Sequence, residues 1–403
     1  MSADVPPESP RPATLCVHGG HRPRTAGEPL VVPLVQSTTF RLDDRAYELR
    51  AAGRASEARI YGRETNPTVE AVERHLAALE GAERALLFAS GMAAVHALLL
   101  ATLEQGDHAV LSRELFGGSL ALMGELLPRL GVRCTPVDPA DLEAVEAALE
   151  PRTRLLFFES VSNPTLTVAD LPALAAIARA AGALLAVDAT FATPIAQRPL
   201  ELGAGVVLHS ATKYLGGHSD VVGGVLAGPA TLLERAWSWR TRAGGCMDPQ
   251  AAYLLGRGLK TLHLRFAAQS AGAARLVEFL AAHPAVRRLS FPGLASHPSH
   301  AVARRVLELP GGMLSFAVEG GDAEGLALVR RLELFTEASS LGGVESLVSM
   351  PSNMSHVGLG EERRRELGIY PGLVRLSVGI EDPADLERDL ARALEGIAST
   401  PAP

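Results

Sequence analysis

Cysteine is scarce, with three residues in 403: Cys16, Cys134 and Cys246. They cannot all pair and have no metal-ligand spacing. A disulfide framework is excluded, no metal centre is expected, and a reducing, cytoplasmic setting is the expectation. Blocks of lysine and arginine are missing too, and the net charge is −7, so nucleic acid is not an expected partner. No stretch reaches the roughly 18 uncharged apolar residues of a membrane span, and no membrane association is expected. Internal repeats and low-complexity segments are absent apart from Ala-rich helical stretches. The start, Met1 to Ala13, is Pro-rich and carries acids but has no apolar core, so it reads as a loose leader and not a signal peptide. Ser399 to Pro403 reads as a similar tail. His297-Pro298-Ser299-His300 reads as a surface turn, because no acid or cysteine completes a metal site there.

Apolar residues make up 47% of the chain and charged residues 21%, enough to bury a large core. The length exceeds one typical domain and favours two. From about residue 68 helical and strand patterns alternate. Helices are expected at 68–80, 91–103, 119–130, 141–149 and 171–181. Strands are expected at 84–88, 108–111, 133–137, 154–158, 183–187, 206–209 and 221–227. Such alternation implies an α/β fold with a mainly parallel sheet covered on both faces, its ligand at the strand carboxyl ends. The pattern changes around Gly244 to Gly258. A long helix at 262–283 and short strands at 313–318 and 374–378 then read as a smaller α+β domain.

Several residues fall just after strands or in loops. Lys213 stands among hydroxyls in the segment His209 to Asp220, downstream of the apolar strand that ends at Asp188. An amine and an acid so placed are how a protein holds pyridoxal phosphate (PLP): the amine bonds the aldehyde, and the acid keeps the pyridine nitrogen protonated. An exposed lysine in a Gly-rich loop is the bland alternative. Ser90-Gly91-Met92 follows a strand and opens a helix, where N–H groups can meet a phosphate or serve only as a cap. Arg63 could clamp a phosphate while Tyr61 donates a hydroxyl; the two could equally belong to an exposed turn. Asn163 could bond a cofactor ring oxygen or cap a turn before Pro164. Arg375 is a lone charge inside an apolar strand, which calls for a substrate carboxylate or a structural acid as its partner.

In this order the motifs VPLVQSTTF, YGRETNPT, SGMAA, ESVSNP, VDATF, HSATKYLGGHSDVVGG, SLGGVESL and GLVRLSVGIED are highly specific. The chain resembles the Cys/Met-metabolism group of PLP enzymes from about Thr14 to Gly396. That group includes cystathionine γ-synthase, cystathionine γ-lyase, methionine γ-lyase and the O-acylhomoserine sulfhydrylases. The resemblance implies the fold-type-I, aspartate-aminotransferase-like architecture in a homotetramer built from two intimate dimers. Residues 1–60 would be an arm reaching the neighbouring subunit, 61–256 the large PLP-binding domain and 257–403 the small domain. It further implies that Lys213 carries the cofactor, Asp188 faces the pyridinium, and Ser90, Gly91, Met92, Ser210 and Thr212 cup the phosphate. Tyr61 and Arg63 would reach the phosphate of the neighbouring subunit. Asn163 would lie near the ring oxygen and the substrate carboxylate, Ser340 with Arg375 would bind that carboxylate, and Ser339 would also face the substrate.

The chain departs from the group's pattern at informative places. Phe116 stands where a ring-stacking tyrosine is usual; it can stack but cannot move a proton. A thiolate leaves with a conjugate acid near pKa ~8.5 and a carboxylate with one near ~4, so the missing phenol predicts a preference for acyl esters and similar groups. Ser339 replaces a glutamate that faces the distal amine of cystathionine in other members, and Gly118 replaces the cysteine typical of methionine γ-lyases. Ala189 stands where asparagine is usual, with no functional consequence drawn. The expected reaction is γ-elimination from a γ-substituted L-amino acid, through a vinylglycine-type intermediate, to a 2-oxo acid and ammonia. Replacement by a thiol, as in cystathionine γ-synthase or an O-acylhomoserine sulfhydrylase, is the alternative, as is an unusual substrate of specialised metabolism.

Overall fold

The computed structural model describes residues 10–20, 26–354, 360–395 and 397. Its larger sheet contains β1 (Arg84–Phe88), β2 (His108–Ser112), β3 (Arg133–Val137), β4 (Thr153–Glu159), β5 (Leu184–Asp188), β6 (Val206–Ser210) and β7 (Gly224–Gly228). Their spatial order is β1-β7-β6-β5-β4-β2-β3. Strands β2 to β6 are parallel, while β7 is reversed against both β6 and β1. Each central strand is apolar on both faces, as burial between two helical layers requires. On β4, Leu155 and Phe157 pack toward the helix Gly91–Thr102, and Leu156 and Phe158 toward the helix Leu171–Ala180. The sheet therefore brings the carboxyl ends of β4, β5 and β6 side by side.

The second sheet holds β8 (Val286–Ser290), β9 (Met313–Val318), β10 (Thr336–Glu337), β11 (Leu347–Ser349) and β12 (Leu373–Ser377), in the order β10-β11-β12-β9-β8. It is mainly antiparallel. The helix Leu262–Ala282 ties the two parts together. Leu262 and Phe266 near its start pack into the core beside β7, and Leu276, Val277 and Leu280 near its end pack into the core of the second sheet.

Most expected elements in the first half match to within one or two residues. The strand expected at 221–227 begins only at Gly224, since Val222 is exposed and the preceding loop runs past the site. The helix Pro12–His18 begins inside the expected leader, and residues 1–9 and 398–403 lie outside the described ones. The His297 stretch is not a solvated turn. His297 is buried, its Nε2 lies 3.1 Å from Ser290 Oγ, and His300 opens a helix. Among the described residues no helix is long and apolar enough to cross a membrane, and no cluster of His, Cys, Asp or Glu could hold a metal ion.

Candidate active site

A cavity of about 630 Å³ opens at the carboxyl ends of β4, β5 and β6. Its walls include Ser90, Gly91, Met92, Phe116, Asn163, Asp188, Ser210, Thr212, Lys213, Ser339, Ser340 and Arg375. Residues spread over 285 positions of sequence are thus brought to one space.

One wall is an anion cup. Ser90 caps the helix Gly91–Thr102, its Oγ accepting from Ala93 N at 3.1 Å. Helix geometry leaves the N–H groups of Gly91 and Met92 without intrahelical acceptors, and the dipole favours an anion beside them. Ser210 ends β6 directly against Gly91, where an added Cβ would lie 3.2 Å from the Ser210 Cβ. Gly224 is more tightly bound: a Cβ there would lie 2.2 Å from Ser90 O. A side chain on Gly224 would displace the helix start and spoil the cup. Thr212 Oγ1 accepts from Gly223 N at 3.1 Å, which fixes its position beside β7.

The second element is the acid. Asp188 Oδ1 accepts from Thr190 N at 3.0 Å and Thr190 Oγ1 at 2.5 Å. Burial pushes the carboxyl up from its ordinary value, and the Thr190 bonds and nearby His209 pull it back. Both hydrogen bonds fall on one oxygen. A protonated ring nitrogen at the other would supply the countercharge that a buried carboxylate needs.

Lys213 follows β6 and is half-buried. Its Nζ donates to Ser340 Oγ at 2.8 Å. Burial first, and the charge of Arg375 second, lower its pKa to about 8. A nucleophilic amine needs such a shift. Ser340 has φ 93°, a left-handed conformation that a non-glycine residue holds at a cost of about 1–3 kcal/mol. In that conformation its hydroxyl meets Lys213 while its carbonyl accepts from Arg375 Nη2 at 3.0 Å.

Arg375 lies on β12 and is 7% exposed. Nη1 donates to Asn163 Oδ1 at 2.9 Å, and the buried Nε has no partner. Both acceptors are neutral, and the ion pairs among the described residues do not include Arg375. Burial lowers its pKa to about 10. A buried guanidinium with neutral partners and a spare N–H is suited to receiving a carboxylate.

Tyr61 and Arg63 are not brought into this cavity. Tyr61 is 41% exposed, and Arg63 lies 5.5 Å from its ring centroid and donates to Thr241 O at 2.7 Å. Two residues were missed from sequence. Thr190 orients Asp188, and Glu159, another acid ending an apolar strand, lines the cavity. The strand-end position that singled out Asp188 was available for Glu159 as well. A second cavity of about 680 Å³, beside residues 28–35, contains none of these groups except its own lysine, Lys260.

The cup, the half-bonded acid and the shifted amine fit PLP. The family described as "Cys/Met metabolism PLP-dependent enzyme" matches residues 13–395. The chain belongs to that family. It is 42% identical over 388 residues to an L-methionine gamma-lyase of Pseudomonas putida, covering 96% of this chain and 98% of that one. A cystathionine gamma-lyase of Bacillus subtilis is 44% identical, with 95% and 99% covered. A cystathionine gamma-synthase of Mycobacterium tuberculosis is also 44% identical, with 95% and 96% covered. The crystal structure of a cystathionine gamma-lyase from Micromonospora echinospora superimposes with a TM-score of 0.89 at 43% identity, covering 96% of this chain and 99% of that one. The chain is a PLP-dependent enzyme with the fold-type-I architecture.

Proposed function

We propose that the protein eliminates the γ-substituent of an L-amino acid, giving a 2-oxo acid and ammonia. The observation that carries this reading is Arg375, buried with neutral partners in the same cavity as Lys213. The γ-position is supported by the names of the relatives, two γ-lyases and a γ-synthase. PLP supplies an electron sink for charge left at Cα. Arg375 and Asn163 hold the substrate carboxylate, so that the Cα–H bond is presented to Lys213 Nζ. The amine, neutral above about pH 8, takes the Cα proton and returns protons further along the substrate. Ser340 Oγ accepts from the free Nζ at 2.8 Å, so it would hold the amine once the substrate has displaced it from PLP. Asp188 would pair with the ring nitrogen, and Ser90, Gly91, Met92, Ser210 and Thr212 would hold the phosphate. For an acyl ester, water completes the balance: 2-oxobutanoate, ammonia and the free acid are formed.

Phe116 lines the cavity with an apolar face, and Ser339 offers a hydroxyl where a distal amine would need a carboxylate. The expected outcome is turnover of O-acyl homoserines ahead of cystathionine and methionine. Phe116→Tyr should raise turnover of thioethers about tenfold or more relative to esters, since positioned proton transfer contributes 10²–10⁴. Product assays on O-acetyl- and O-succinyl-homoserine, cystathionine and methionine, with and without a thiol, test both points. Oxo acid that a thiol suppresses in favour of thioether would make the protein a γ-replacing transferase. A Phe116→Tyr variant with no gain on thioethers would sink the leaving-group argument.

We further propose a homotetramer in the cytoplasm, with 61–256 as the large domain and 257–403 as the small one. In it, Tyr61 and Arg63 complete the phosphate site of a neighbouring copy. The exposure of Tyr61 and of Leu30, Val31, Val32 and Leu34 supports this. If so, mixing inactive Arg63→Ala and Lys213→Ala chains should restore about a quarter of the wild-type sites, because half of the random dimers carry one intact site. Mixtures that stay inactive while hybrid dimers form would refute the shared site.

A further inference from the structure

Glu159 is an expensive residue. It closes β4 and is 8% exposed, and its register partner at the end of β5 is Asp188, so two acids stand side by side at the cavity floor. Burial and then the charge of Asp188 drive its carboxyl well above the usual range, while the backbone N–H groups of Phe116 and Asn163 oppose that shift. A neutral residue would avoid both penalties. What the carboxyl gains is a hold on the loop above. Its Oε1 accepts from Phe116 N at 2.6 Å.

Phe116 needs that hold. It precedes the helix Gly117–Arg129 as its N-cap residue, and its own side chain caps nothing. The residue is 48% exposed, so packing within this chain does not fully fix its ring. Orientation of the ring is therefore passed down from the backbone. The other N–H that faces Glu159 belongs to Asn163, the partner of Arg375. A single carboxyl thus touches two loops that line the cavity, one carrying Phe116 and the other Asn163.

We propose that Glu159 is a positioning residue, whose carboxyl oxygen holds the Phe116 backbone so that the phenyl ring lies stacked on PLP. This rests on the reading of Phe116 as the stacking residue, and the test separates the two. Purified holoenzyme of wild type, Glu159→Ala, Glu159→Gln, Glu159→Asp, Phe116→Ala and the Glu159→Ala/Phe116→Ala double variant is compared. The readouts are the PLP dissociation constant and the induced circular dichroism of the bound PLP band. Glu159→Ala should weaken PLP about tenfold and change the dichroism, as expected for losing one hydrogen bond. Glu159→Gln keeps an acceptor oxygen and should restore both readouts. Glu159→Asp keeps the acid but shortens its reach, and should behave like Glu159→Ala; it also serves if the alanine variant does not fold. In the Phe116→Ala background, Glu159→Ala should cost little more, because the two act through one contact. Equal losses in both backgrounds, or wild-type behaviour of Glu159→Ala and Glu159→Asp, would overturn the proposal. Wild-type dichroism and affinity in Phe116→Ala would instead remove the stacking reading on which it rests.

Discussion

Lys213→Ala will lose turnover by at least about 10³-fold, because it removes both the amine that bonds the cofactor and the base that moves the Cα proton. The composition makes the covalent half of this expectation easy to read. Lys213 and Lys260 are the only lysines in the chain. Lys260 is exposed and lines the other cavity. Borohydride reduction of wild-type holoenzyme should therefore fix PLP on the Lys213 peptide alone, and the variant should take no label. A label on Lys260 would move the active site. The pH dependence has a definite sign. With a folded pKa of about 8 against an ordinary value near 10.4, the unfolded chain binds more protons between the two. Charging Lys213 costs the apo fold stability below about pH 8, and that cost is relieved as pH rises through the window. The rate at which apoenzyme captures PLP should rise with pH and level off above about 8. A rate still climbing at pH 10 would contradict a shifted amine.

Local pattern was a sufficient guide wherever burial alone decides structure. The strands β4, β5 and β6 read as short apolar runs because both faces are covered, and their terminal acid or hydroxyl is legible as the point where the chain leaves the core. Arg375 stood out for the same reason, as a charge where only apolar residues fit. The helix Ala230–Ala243 escaped notice because its buried face includes Arg240, a residue that apolar periodicity does not count. The burial depends on Glu73, which accepts from Arg240 Nη1 at 2.6 Å and lies far away in sequence. His297 is a similar case: its ring meets Ser290 Oγ, which in turn donates to Thr165 O, a residue far away in sequence. The left-handed Ser340 was invisible as well, since a serine gives no sign that the fold holds it at φ 93°. Tyr61 and Arg63 raise a different difficulty. Their motif was readable, but within one chain they lie away from the cavity, and only the proposed second copy would give them a cofactor to reach.

Arg375 allows binding and stability to be told apart. Arg375→Ala should lower kcat/KM by about 10²–10³-fold, mostly through KM, the range expected when a buried charge partner is truncated. The PLP band should persist, because Lys213, Asp188 and the phosphate cup are intact. Arg375→Lys should recover little of the loss. A lysine carries the charge but cannot place forked donors on Asn163 Oδ1 and Ser340 O while leaving Nε for a substrate. A structural arginine would show the opposite pattern. Removing one half of a buried ion pair leaves the other half uncompensated and destabilises the fold by about 3–5 kcal/mol, whereas Arg375 has neutral oxygens as partners. The thermal midpoint of Arg375→Ala should therefore move by only a few degrees. The sharpest control uses a substrate analogue that lacks the α-carboxylate. If Arg375 holds that group, wild type and Arg375→Ala should bind the analogue equally weakly. A wild-type preference for it would assign the guanidinium to some other part of the substrate.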